Sequence, residues 1–241
     1  MGSEFKDLKI NGIGQVAGGT YGKIVADGLA TLNGDIVCNS LTSNGTLKVK
    51  NSVEAGKLRS NGTASVSGSV RGGELRVDGS MKVEGNVEFG KIDINGMLTL
   101  GGGVSAEHAK VDGGIKIGEN AEFETLKVHG LIRANGMINA GELEILLEGS
   151  SQAREIGGER IVVRQKQSSP RRLLSLITPS LAAKLTADSI EGDLVELEET
   201  RARIVRGDAV KIGPGCEIER VEYKRHCEID PRASVGSAEQ V

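Results

Sequence analysis

An aliphatic residue returns every 17 positions over a long stretch of this sequence. The series runs without insertion through Ile24, Leu41, Leu58, Leu75, Ile92, Ala109, Leu126 and Leu143. A glycine lies four residues after each of the first seven members, from Gly28 to Gly130. A fixed period of this size is typical of repeat architectures, in which each repeat packs on its neighbours. The period therefore predicts a solenoid.

The pattern inside each repeat indicates strands rather than helices. With Ile24 as position 1, the apolar residues occupy positions 1, 3, 7, 9, 13 and 15. Alternation with period two is strand geometry. We predict three short strands per turn, joined by corners at positions 5 and 11, which are rich in Gly and Asn. These residue types tolerate positive φ, which we expect at such corners. The fold class is all-β, a triangular parallel β-helix with 17-residue turns.

Interruptions of the period predict the domain boundaries. An earlier copy begins at Leu8 and is one residue short, and after Leu143 the period slips by one residue to Ile161. In the later part, Ala187, Ile204 and Val221 are spaced by 17 and predict a further column. The sequence thus predicts an N-terminal tail, a main solenoid, a linker, a second short solenoid and a C-terminal tail, at residues 1–7, 8–163, 164–184, 185–235 and 236–241.

The composition restricts the cellular compartment and the classes of binding partner that we expect for this chain. Aromatic residues make up 2% of the chain, so few rings are available to stack on bases or sugars. The net charge is −3, and no broad basic surface suited to nucleic acid is visible. The three cysteines have irregular spacing, which favours a reducing compartment. No secretory signal and no apolar run of membrane-spanning length are present, so we expect a cytoplasmic protein.

The residues that could support catalysis or metal binding are scattered. His108, His129 and His226 are far apart in sequence, and no Cys or His grouping has the spacing of a zinc site. The segment Ile212–Ile218 is similar to one hexapeptide of the solenoid acyltransferases, but that period is not sustained. We therefore expect no catalytic residue, no cofactor and no metal. An acyltransferase-like enzyme and a scaffold that does not polymerise remain the alternatives.

The repeat resembles a known family. The glycine-cornered repeats of residues 8–163 resemble the bactofilins, which are bacterial polymer-forming cytoskeletal proteins, and residues 185–223 resemble the longer two-part members of Gram-positive bacteria. The resemblance implies a right-handed β-helix and nonpolar filaments that form without nucleotide. It also implies cytoplasmic localisation, peripheral at the inner face of the membrane, and a role in cell shape, polarity or motility. The implied partners are further copies of the chain and a paralogous filament protein.

The first turn is the candidate surface for self-assembly. Leu8 and Ile10 occupy inward positions 1 and 3 of that turn, and only seven residues precede them. Seven mostly polar residues are too few to form a helical cap. We therefore expect this layer of the core to face water in a monomer. A solenoid end with unpaired backbone groups tends to pair with another strand.

The predicted linker is the candidate membrane contact. Two arginines stand directly before an apolar cluster: Arg171, Arg172, Leu173, Leu174, Leu176 and Ile177. Anionic lipid attracts basic residues near its surface, and the cluster is too short to span a bilayer. Peripheral binding to an anionic membrane is one interpretation. Docking of the linker on the flank of the solenoid is the other.

Overall fold

The structure, a computed structural model, describes residues 5–166 and 183–241, and within these ranges it contains strands and no helix. The chain divides into two units, residues 1–119 and 120–241. The first unit contains twelve strands: β1 Leu8–Ile10, β2 Ile13–Ala26, β3 Leu29–Ser43, β4 Thr46–Val49, β5 Val53–Ser60, β6 Thr63–Val66, β7 Val70–Val77, β8 Ser80–Val83, β9 Val87–Ile94, β10 Met97–Leu100, β11 Val104–Val111 and β12 Gly114–Ile117.

The described residues of the second unit form eight strands: β13 Ala121–Ala134, β14 Met137–Leu147, β15 Ser151–Gln152, β16 Glu155–Gln165, β17 Leu185–Leu197, β18 Thr200–Ile212, β19 Glu217–Ile229 and β20 Ser234–Gln240. As in the first unit, strands of successive turns pair in parallel. The predicted parallel β-solenoid is confirmed in both units.

The register of the first unit confirms the predicted repeat. Leu41 pairs with Leu58, and Leu75 pairs with Ile92. The inward columns are buried, as Val83 illustrates with no exposed surface, while the neighbouring Lys82 is exposed. The first turn is one residue shorter than the later turns, as predicted, because Leu8 pairs with Ile24. A register shift between Ala17 and Gly19 restores the longer period.

Each regular turn contains two strands, not the predicted three. A strand of four residues, such as β4, alternates with a strand of eight residues, such as β5. The long strand bends near Gly56 and keeps its pairing on both sides of the bend, since Ala55 pairs with Gly72 and Lys57 pairs with Glu74. The third corner is therefore a bend within one strand, at which the residue of the bend is unpaired and the ladder continues in the same register.

The glycine column at position 5 has a different cause from the predicted one. Within the described part of the first unit, positive φ occurs at Gly19 and Gly34, and the corner glycines from Gly28 to Gly113 do not show it. A Cβ on Gly62 would instead lie closer than 3.0 Å to the carbonyl oxygen of Gly45, one turn below. The same clash recurs along the column. Glycine is required here because stacked backbones approach too closely for a side chain.

The predicted linker does not separate two solenoids. Ile161 in β16 pairs with Val195 in β17, its partner on the far side of segment 164–184, and this pairing extends from Glu155 to Val163. Strands β16 and β17 therefore belong to one ladder of the second unit, and their pairing continues across the boundary predicted at residue 163. A corner tolerates an insertion because the strands on either side keep their ladder partners.

The register of the turn that begins at Leu185 also differs from the prediction. Ala187 pairs with Ala202, and Val221 pairs with Val205, so Ala187, Ile204 and Val221 do not form one column. The pairing of Leu185 with Thr200 shows that this turn is shorter than a regular one. The predicted C-terminal tail, 236–241, is mostly strand, because β20 continues to Gln240. Corners of unequal length produce these offsets, and a single fixed period cannot describe them.

A ladder of side-chain amides and carboxylates runs beside the glycine column in the first unit. The Nδ2 atom of Asn44 donates to Oδ1 of Asp27, and Nδ2 of Asn61 donates to Oδ1 of Asn44, each at 2.6 Å. Asn95 donates in the same way to Asp78 at 2.6 Å. These residues stand at position 4, directly before each corner glycine. The recurrence of Asp or Asn directly before the corner glycine is the sequence signal for this ladder.

The glycine contacts yield a first testable prediction. Gly62→Ala should destabilise the protein by about 3 kcal/mol, because overpacking against backbone cannot be relieved by a side-chain rotation. Gly12→Ala is the matched control, since a Cβ at Gly12 would meet nothing within 4 Å. Its effect should stay within about 1 kcal/mol. Chemical denaturation followed by circular dichroism measures both, and equal stabilities would contradict the steric explanation.

The amide ladder yields a second prediction, on acid stability. Hydrogen bonds from Arg76, Asn95 and Arg59 hold the pKa of Asp78 well below its ordinary value. A lowered carboxyl pKa stabilises the folded state above the unfolded pKa, and this contribution is lost as the pH falls through the folded pKa. Asp78→Asn should therefore lower the Tm at neutral pH and flatten its decline below about pH 4. Glu107→Gln, at an exposed carboxylate, should leave the profile unchanged. A parallel decline in native protein and Asp78→Asn would contradict the assignment.

Candidate assembly surfaces

The N-terminal turn of the first unit has an open edge. Strand β1 pairs with β2 on one side, and on its other side the described residues supply no strand. Lys6 and Asp7 bind Gly22 and Lys23, because Gly22 N donates to Lys6 O at 3.2 Å and Lys23 N donates to Asp7 Oδ1 at 2.7 Å. Residues 6 and 7 therefore extend the first layer and do not cover it.

The two predicted assembly residues lie together on β1 but differ in burial. Leu8 is half-buried, whereas Ile10 is only 7% exposed. Ile10 packs over Gly14, where a Cβ would come within 2.9 Å of Ile10 Cγ2. The expectation that Ile10 faces water in a monomer is therefore wrong. Because Gly14 has no side chain, Ile10 can pack over it and is shielded from water.

The exposed apolar surface of this turn lies on its outer face instead. Ile13 is 86% exposed and Leu29 is 48% exposed, and the two pair in register on β2 and β3. Later turns carry Thr46, Thr63 and Ser80 at this position. Two large apolar residues thus begin an outward column that continues with these three polar residues and then with Met97 and Gly114. Large apolar residues at outward positions are the sequence signal for this surface.

Gly12 is the corner glycine of the first turn, and its surroundings differ from those of its equivalents. A Cβ on Gly28, Gly45 or Gly79 would collide with a carbonyl of the turn below. A Cβ on Gly12 would meet nothing within 4 Å, and its φ is not positive. Within one chain, neither steric contact nor backbone conformation requires glycine there. A further stacked turn would impose the requirement.

The C-terminal turn of the second unit is also open. Strand β20 pairs with β19 and has no strand on its other side among the described residues. Ile229 is 40% exposed, Val241 is 70% exposed, and Cys227 and Val235 are half-buried. This end therefore presents apolar side chains together with backbone groups of an unextended ladder.

Two of the three cysteines, Cys38 and Cys216, are buried. Cys38 occupies an inward column and Cys216 lies in the hexapeptide-like segment, and both are nearly inaccessible. Burial raises the pKa of each thiol to about 11. The Cys216 thiol donates to Leu197 O at 3.3 Å. These thiols are therefore packed as small apolar groups, since the thiolate is the reactive form.

A shallow groove crosses the second unit at three stacked glycines, Gly158, Gly192 and Gly207. Its charged side chains largely satisfy one another. Arg206 Nε donates to Glu222 at 2.6 Å, and Asp208 binds Lys224 at 3.3 Å. The groove is therefore a bend in the sheet lined by ion pairs.

The predicted membrane contact lies outside the described residues, together with the rest of 167–182: Arg171, Arg172, Leu173, Leu174, Leu176 and Ile177. In the ranges that the structure does describe, no helix has the length and apolar character needed to cross a membrane. His108, His129 and His226 stay apart, and no group of three metal-binding side chains forms within those ranges.

Comparisons with known proteins give one relative that shares nearly the whole length of the chain and one that shares less than half of it. No family model matches the sequence, and no solved structure matches it. The chain is 42% identical over 100 residues to uncharacterized protein YhbF of Bacillus subtilis (strain 168), covering 41% of this chain and 39% of YhbF. It is 58% identical over 232 residues to uncharacterized protein YhbE of the same organism, covering 96% of each chain. The chain therefore belongs to the same family as YhbE.

Proposed function

We propose that this chain is a structural protein of bactofilin type that polymerises end to end into filaments. The observation that carries the proposal is Gly12, a corner glycine with nothing within 4 Å of its would-be Cβ. Each later corner glycine along the column, from Gly28 to Gly113, is required by the turn stacked below it. If a second copy stacks on the first turn, a Cβ at Gly12 would collide with the backbone of that copy, and glycine would be required there for the same steric reason.

The open edges supply the attraction for this joint. Strand β1 and the first part of β2 present backbone donors and acceptors that a further strand can pair with. Leu8 and Ile13 add apolar surface that water covers in the monomer. Burying each such side chain contributes about 1.5–3 kcal/mol. Part of this gain is offset by the entropy lost on association.

This joint needs no nucleotide, because apolar burial and backbone pairing drive it. For the same reason, added salt should leave the joint intact, since apolar contacts are not screened. The biological role that follows is a cytoplasmic scaffold in cell shape, polarity or motility. Its expected partners are further copies of the chain, a paralogous filament protein and the inner face of the membrane.

The test is a single added methyl group. Gly12→Ala should fold as the native protein does and should raise the critical concentration for polymerisation about 100-fold, because a clash worth about 3 kcal/mol enters the joint and not the monomer. Electron microscopy and sedimentation of purified protein, without nucleotide, measure filaments, while circular dichroism and denaturation measure folding.

Two further variants bracket this test. Gly149→Ala is the control, since a Cβ there would make only an ordinary contact, 3.9 Å from Leu131 Cβ. It should polymerise normally. Leu8→Arg places a charge at a half-buried position of the edge and should also suppress filaments. The proposal fails if native protein forms no filaments, or if folded Gly12→Ala and Leu8→Arg polymerise as well as Gly149→Ala.

A further inference from the structure

One outer face of the first unit is rich in lysine. This lysine face is the outward side of the sheet formed by β4, β6, β8, β10 and β12, and its cations are Lys48, Lys50, Lys82 and Lys116, all exposed. Lys82 lies 3.6 Å from Glu84, an acidic neighbour on this face. The other three lysines make no ion pair with a described residue. Their outward neighbours are mainly Thr, Ser and Gly.

Elsewhere on the outer surface of the same unit, several cations are paired with acidic side chains. Arg71 binds Glu54 at 2.6 Å, and Arg76 binds Asp78 at 2.9 Å. Lys57 lies 3.6 Å from Glu74, and Lys91 lies 3.0 Å from Asp93. Acidic side chains of the unit do not neutralise the positive charge of the lysine face. This charge therefore favours binding of an anionic partner from outside the chain.

The spacing of the lysines restricts what that partner is. Lys48, Lys82 and Lys116 recur at every second turn of one column, so successive members lie about 9.6 Å apart. Alternate side chains of an extended peptide repeat at about 6.8 Å and do not match this spacing. A second solenoid with the same turn height matches it along its whole length.

The chain itself contains the complementary column. Glu54 and Glu88 are exposed, are separated by the same two-turn interval, and stand in the same turns as Lys48 and Lys82, on the adjacent face. Arg71 stands between the two glutamates in this column. It binds Oε2 of Glu54, and it acts on Glu88 through its charge without a direct ion pair. Both carboxylates therefore retain acceptor capacity.

We propose that the lysine face of one copy binds the Glu54–Glu88 column of a neighbouring copy side by side, with Lys48 opposite Glu54 and Lys82 opposite Glu88. The partner is thus a second copy of this chain, and the inference rests on the proposed filament function. Each exposed ion pair is weak, and repetition along a filament makes the contact multivalent. The contact is heterologous, so each copy carries both a lysine face and a glutamate column, and lateral association can continue from one filament to the next. It is also screened by salt, unlike the apolar end joint.

The experiment compares filament width at low and high ionic strength. Native filaments should bundle at about 0.02 M salt and separate into single filaments at about 0.5 M, where the Debye length is shorter than the contact spacing. Lys48→Glu with Lys82→Glu should give single filaments at both salt concentrations. Negative-stain electron microscopy measures width, and low-speed sedimentation measures the bundled fraction, which should fall at least tenfold.

Two matched variants separate the specific contact from net charge. Lys127→Glu with Arg203→Glu makes the same change of net charge at exposed cations of the second unit that form no ion pair among the described residues, and it should bundle as native protein does. Adding Glu54→Lys and Glu88→Lys to the Lys48→Glu and Lys82→Glu variant inverts both columns at native net charge. This fourfold variant should restore bundling.

Each alternative result identifies what fails. Filaments that stay single at low salt, or a double variant that still bundles, overturn the lateral contact and leave the end joint standing. Loss of bundling without restoration in the fourfold variant also overturns it. Loss of binding to phosphatidylglycerol vesicles by the double variant, with bundling unchanged, assigns the lysine face to an anionic membrane instead. Absence of native filaments at high salt defeats the proposed function itself.

Discussion

The contact on which the rest of the structure depends is the approach of one turn's backbone to the next at the position-5 corner. A Cβ on Gly62 would lie closer than 3.0 Å to the carbonyl oxygen of Gly45, and the same holds at Gly79 and Gly96. This distance allows the strands on both sides of the corner to keep one ladder with equal turn heights. Columns of identical residue type follow, because each position then meets its own copy one turn away.

The equal spacing of the stacked turns also determines which contacts the ends and the outer faces can make. Nothing in a regular ladder limits the number of turns. The backbone at Gly12 and β1 can therefore pair with a further turn as the backbone of an interior turn does. The same regularity places outward charges in straight columns with a fixed spacing. The contact proposed at the ends of the solenoid is apolar, and the contact proposed between outer faces is ionic. The two contacts should therefore respond differently to salt.

Stacking also produces polar columns, one at the surface and a shorter one in the core. The amide ladder from Asp27 to Asn61 satisfies each donor with the acceptor one turn below. Ser43 and Ser60 form a second polar pair, fully buried at position 3, and their hydroxyls find no partner among the described residues. The pair costs stability, since buried hydroxyl groups without partners lose their hydration. Its neighbours along the column, Ala26 and Val77, are apolar.

The sequence by itself determined the period, the inward columns, the shortened first turn and the parallel β-solenoid, because each depends on local alternation repeated at fixed distance. It placed Leu8 and Ile10 on one strand at the open end. Only the tertiary structure decided that Ile10 is buried over Gly14 and that Ile13 is exposed, since burial depends on the neighbouring side chain. It also decided that the strands on either side of 164–184 pair with each other. The residues between two strands do not identify the partner of either strand, because the stacked backbone selects it.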